Sequence, residues 1–194
     1  MDGAPGAGAN KRCASGAWMP IVAGSYHDRR EGRLFTVDGM RKLHGWTHAC
    51  IGVVLEHLST IPASDYAREL PEFGFSTLRE QVVHIFNCEG FWVHTLQGLV
   101  YVERKPAAYP VVADARLLQE EAIRQTHAYL AELTDEELNT NTELRFPDGD
   151  MAVRTPALVL HHMLTHAFHH KGQIATMCRV LGHPAGDTDM NQFE

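Results

Sequence analysis

The chain has 194 residues, enough for one domain with a full apolar core and short for two, and its 17 basic against 24 acidic residues leave a net charge of -7 that repels phosphate backbones and argues against a nucleic-acid partner. No apolar run approaches the ~20 residues that cross a bilayer, so no membrane partner is expected. The four cysteines are scattered without a C-x-x-C pair, which suits reduced thiols in the cytoplasm, whereas thirteen histidines, five of them between His161 and His170, call for an explanation.

Residues 1–35 carry glycines at 3, 6, 8, 16, 24 and 32 with no apolar period, and read as a flexible or loosely docked leader. The Gly/Ala-rich start lacks the basic-then-apolar order of a signal peptide, and no apolar segment follows Arg29-Arg30. Residues 36–194 form the expected folded domain. From Val37 onward, Met40, Leu43, Thr47, Cys50, Val54, Leu58 and Ile61 recur in steps of three and four, the stripe of a first helix. Pro62 and Pro71 bracket a loop. Ser76-Thr77 opens a second helix, with Glu80 placed to complete a capping box. Its inward line is Leu78, Val82, Ile85, Glu89, Trp92, Leu96 and Leu99.

Pro106 and Pro110 mark the next loop, and Asp114 is placed to cap a third helix with Leu118, Ala122, Tyr129 and Leu133 on one face. Residues 141–154 alternate like two strands around Pro147-Asp148-Gly149, a hairpin signal. Thr155-Pro156 starts a fourth helix, which Gly182 and Pro184 stop. The expected fold is all-α: an antiparallel four-helix bundle with a small β-hairpin before the last helix.

On the fourth helix the stripe runs Leu160, Met163, Ala167, His170, Ile174, Met177, Leu181, so His170 stands where an apolar residue belongs. A buried imidazole is costly unless its nitrogens find partners. His166 lies one turn earlier, and two imidazoles at that spacing can grip one metal ion. The same spacing also occurs in hydrogen-bonded core histidines, and His162 pairs equally with His166, so spacing alone leaves these readings open. Glu89 is a second interior oddity, since a buried carboxylate wants a cation, a donor or a metal. His84 and Cys88 flank it on the same face. Polar residues on two facing helices suggest a polar site inside the bundle. His44, His48 and His57 read as surface or packing residues, with His48 the one weak candidate for lining the site. His94 and His127 have no evident partner, and His161, His162 and His169 point outward.

The run His166-Ala167-Phe168-His169-His170-Lys171-Gly172-Gln173, followed by Arg179-Val180-Leu181-Gly182 and Asp189, resembles the closing signature of the DinB/YfiT-like superfamily, H-x-x-x-H-R-G-Q and then L-G and an aspartate. His84, Glu89 and Trp92 are similar to that family's second-helix pattern. The resemblance covers about residues 37–190 and departs at Lys171, where arginine is usual. It implies a four-helix bundle with a divalent metal held by His84, His166 and His170, with zinc or nickel first and iron or manganese also open. It further implies an enzyme of thiol S-transferase or hydrolase type acting on a small molecule, with a low-molecular-weight thiol as a second cofactor, Glu89 as general base or orienting carboxylate, and a homodimer. The competing reading is a stress-related metal-binding or protein-interaction bundle without turnover.

Overall fold

The computed structural model describes residues 34–193, so the segment read as a leader lies almost wholly outside the described residues. Four long helices dominate: α1 (Val37–Ser59), α3 (Leu78–Leu96), α4 (Val112–Ala131) and α6 (Pro156–Val180). Two single-turn helices, α2 (Ala63–Tyr66) and α5 (Asp135–Asn139), and a hairpin of β1 (Thr142–Arg145) and β2 (Met151–Arg154) fill the connections. No helix among the described residues is long and apolar enough to cross a membrane.

Three of the four long helices, α1, α3 and α6, start at a threonine whose side chain accepts from an orphan N–H of the first turn. Thr36 Oγ1 accepts from Gly39 N–H at 3.0 Å. Thr77 and Glu80 form the expected reciprocal box, at 3.0 and 3.1 Å. Asp114 accepts from the Val111 N–H ahead of α4, and Thr155 caps α6 with Pro156 at its first position. The ends follow the same logic. Gly182 takes φ +84°, which lets His183 N–H reach Cys178 O at 2.8 Å and closes α6. Gly98 takes φ +69° and ends the run of α3 early, so Leu99, expected on its inward line, is exposed instead.

In the hairpin, Thr142 pairs with Arg154 and Arg145 with Met151, around a turn in which Gly149 takes φ +92°. The short helices α2 and α5 escape the periodicity because one turn shows too little of a repeat to be seen.

The long helices form an antiparallel four-helix bundle in which α1 packs against α4 and α6, and α3 packs against the same two. Helices α1 and α3 therefore face each other across the diagonal. Two apolar clusters fill the interior. One gathers Ile51, Leu55, Leu58, Val82, Phe86, Leu118, Ile174 and Met177; the other gathers Met40, Val93, Leu130, Leu138, Leu160 and Met163. Between them on three of the helices lie buried polar side chains: His44 and His48 on α1, Glu89 on α3, and Thr126 on α4.

Candidate metal centre

Helix α3 carries His84 and helix α6 carries His166 and His170, one turn apart, on faces that meet at the α3/α6 interface. The three imidazoles converge. His166 Nε2 lies 3.3 Å from His84 Nε2 and 3.1 Å from His170 Nε2. A tetrahedral ion with Zn–N bonds of ~2.05 Å separates its nitrogens by about 3.3 Å, which both of these separations match, and the ligand atoms of all three residues lie within 4.8 Å of one another. His84 and His170 are buried, and His166 is half-buried.

The surrounding side chains fix the rings. His170 Nδ1 lies 2.6 Å from Gln81 Oε1, and Gln81 Nε2 donates to Phe75 O at 2.9 Å. With its amide nitrogen spent on Phe75, Gln81 presents its carbonyl oxygen, which can only accept. His170 must therefore carry its proton on Nδ1 and leave Nε2 bare. Phe75 stacks on His84, with ring centroids 4.0 Å apart, and meets His170 edge-on at 5.8 Å. Burial, followed by the neighbouring imidazoles, pushes His166 down from 6.5 to about 4 and His170 to about 3. At neutral pH both are uncharged, the form that binds metal.

Glu89 stands apart from this expectation. Its Oε1 accepts from His44 Nε2 at 2.8 Å and from Thr126 Oγ1 at 2.6 Å, and its Oε2 accepts from His48 Nε2 at 2.9 Å. Both oxygens of the expected general base are thus engaged in a separate cluster built across α1, α3 and α4. Burial alone would raise this carboxyl, but the neighbouring His48 and His44, through charge and N–H donation, hold it well below the usual carboxylate range.

His44 and His48 are correspondingly not surface residues: they are 1% and 6% exposed. The missed signal was available. Met40, His44, His48, Ile51, Leu55 and Leu58 also advance in steps of three and four, and all six are buried. His127, read as having no evident partner, has Nε2 3.2 Å from His44 Nδ1. His161, His162 and His169 are exposed, as expected. Cys88 is buried. Lys171, at the position where arginine is usual, is also buried and donates to Thr188 O at 2.7 Å and Thr188 Oγ1 at 3.1 Å.

Comparison with known proteins follows the same lines. A model described as the DinB family matches residues 42–194. Over 157 residues the chain is 22% identical to Protein DinB of Bacillus subtilis (strain 168), an alignment covering 72% of this chain and 84% of that protein. The crystal structure of a DinB-like protein from Bacillus cereus matches it with a TM-score of 0.53 at 22% identity, covering 78% of this chain and 97% of that one, a likeness of fold. With the family model spanning the bundle and all three convergent histidines, the chain belongs to the DinB family.

Proposed function

We propose that this protein is a metal-dependent enzyme of thiol S-transferase or hydrolase type whose ion is held by His84, His166 and His170. One observation carries the reading: His166 Nε2 stands at ligand spacing from both His84 Nε2 and His170 Nε2, the ligand atoms of all three within 4.8 Å of one another, with the His170 tautomer fixed by Gln81. The donor set fits a borderline divalent ion, with zinc or nickel the first candidates and iron or manganese also compatible with imidazole. Three protein ligands leave coordination positions open, and an ion so held supplies Lewis acidity that favours the deprotonated form of water or of a low-molecular-weight thiol.

The protein's own residues hold and orient. Gln81 keeps His170 Nε2 bare, Phe75 packs over His84, and burial keeps the imidazoles neutral. His166, the least buried of the three, marks the side from which a small-molecule substrate would enter. The contacts of Glu89 favour a role outside this reaction, since both of its oxygens are engaged elsewhere.

The test is elemental analysis of purified protein, followed by assay of zinc- or nickel-loaded protein against a thiol plus an electrophile and against ester and amide substrates. Turnover that disappears in His170→Ala, with helicity retained, supports the reading. A protein that takes up no ion through the three histidines overturns it, and loaded protein inactive with every substrate class leaves the non-catalytic metal-binding bundle as the better description.

A further inference from the structure

The cluster around Glu89 has the elements of a site in its own right. Helix α1 presents His44 and His48 one turn apart, and α3, facing it across the bundle diagonal, presents Glu89. One ligand atom from each lies within 4.8 Å of the others, and all three side chains are buried. This repeats the construction of the first centre, in which α6 offers an i,i+4 histidine pair and α3 offers the third group. Helix α3 thus contributes to both.

Two features set this cluster apart from ordinary core packing. First, a carboxylate buried between two apolar clusters needs a compensating positive charge. Its hydrogen-bond partners are two imidazoles and one hydroxyl, with no lysine or arginine among them, so its compensation comes from the two imidazoles, the same groups that can share an ion with it. Second, the groups behind the cluster are those that orient metal ligands: His44 Nδ1 faces His127 Nε2 at 3.2 Å, and Thr126 Oγ1 holds Glu89 Oε1 at 2.6 Å.

We propose that His44, His48 and Glu89 form a second divalent-cation site, independent of the three-histidine centre. Two imidazoles and one carboxylate, with positions left open, form a donor set that takes iron(II), cobalt(II) or zinc. On entry the ion replaces the ring protons that the two Nε2 atoms now direct at Glu89. Each ring then carries its proton on Nδ1, and that of His44 is met by His127 Nε2.

The experiment uses the full chain, stripped by chelation and titrated with cobalt(II), reading stoichiometry by calorimetry and by visible absorption. Wild type is expected to bind two equivalents. The double variant His166→Ala/His170→Ala is expected to keep one, with an absorption spectrum different from that of the first centre. Adding Glu89→Gln is expected to remove the remaining equivalent. Should Glu89→Gln fail to fold by circular dichroism, paramagnetic broadening of the His44 and His48 ring protons in the double variant reads the same location without touching the cluster. The inference is overturned if the double variant binds no cobalt, if its remaining equivalent survives Glu89→Gln, or if those ring protons stay sharp. Failure of the three-histidine reading looks different: wild type and double variant would then bind equally.

Discussion

Gln81 Oε1 on α3 lies 2.6 Å from His170 Nδ1 on α6, and this contact decides which nitrogen of His170 faces the other two imidazoles. Without it the ring is free to turn or to move its proton to Nε2, and either change removes a lone pair from the centre. Partners of this kind typically contribute 10–100-fold to metal affinity.

Gln81→Met keeps the length and apolar stem of a side chain that is fully buried, but offers His170 no acceptor. Its zinc affinity is expected to fall by about 10–100-fold, measured by competition with a chromophoric chelator. Stability should fall as well, because Phe75 O loses its donor. An affinity equal to that of wild type would show that the amide does not orient the ligand.

How much of this was legible in the sequence follows from length and period. Helices of 19 to 25 residues show several turns of a stripe, and Thr77-Glu80, Thr155-Pro156 and Gly182 each mark a boundary by a local chemical need. His170 was visible because it broke an apolar line. Glu89 was visible for the same reason, but its partners were not. His44 and His48 belong to a stripe one residue away from the Leu43–Thr47 line, and α1 buries both stripes over most of its length, a width of inward face that only packing decides. Gln81 gave no signal, since a glutamine on a helix has many uses and its role depends on a residue 89 positions away.

His166 and His170, the imidazoles lowered furthest, contribute a pH dependence to the metal-free protein, beside smaller contributions of the same sign from His44 and His127. In the unfolded chain His166 and His170 take up protons near 6.5, whereas in the fold they do so near 4 and 3. Between these limits the unfolded state binds more protons, so stability rises with pH. The contribution is fully present above about pH 6.5 and is lost as pH falls toward 3 to 4. Thermal melts of the chelator-treated protein should show Tm dropping steadily from pH 7 to pH 4. His166→Gln/His170→Gln should flatten that slope, and an unchanged slope would assign the pH dependence to other groups.

Lys171 ties the segment after α6 to the bundle. Its buried ammonium donates to Thr188 O and Oγ1 and lies 3.8 Å from Asp189 Oδ1. Lys171→Met retains the apolar stem and removes every donor, leaving the Thr188 carbonyl without its partner, at a cost of about 2 kcal/mol. Limited proteolysis should then cut within 183–193 before it touches the bundle. Lys171→Arg restores charge and donors and should recover most of the protection; if the methionine variant is as resistant as wild type, the lysine does not hold the segment.

At Gly90 on α3 the loop after the helix packs directly against the backbone. A Cβ built there would stand 2.5 Å from Tyr101 Cε2 and 3.0 Å from its Cζ. The ring has little freedom to retreat. Tyr101 Oη donates to Asn87 Oδ1 at 2.7 Å and accepts from Arg104 Nη1 at 2.7 Å, and Arg104 is in turn paired with Glu121 on α4. Asn87 also donates to Arg104 O and accepts from Arg104 N–H, so the loop is clamped from both sides. Helix propensity alone would make Gly90→Ala favourable by ~1 kcal/mol. The collision outweighs that gain, because overpacking of a fixed contact costs typically 1–3 kcal/mol. Gly90→Ala is therefore expected to lower stability by about 1 kcal/mol in urea unfolding, whereas Gly90→Ala/Tyr101→Leu, which removes the obstructing ring, should show no further penalty from the alanine. A stabilising Gly90→Ala in the wild-type background would mean that the loop moves aside freely and that Tyr101 is not anchored as its hydrogen bonds indicate.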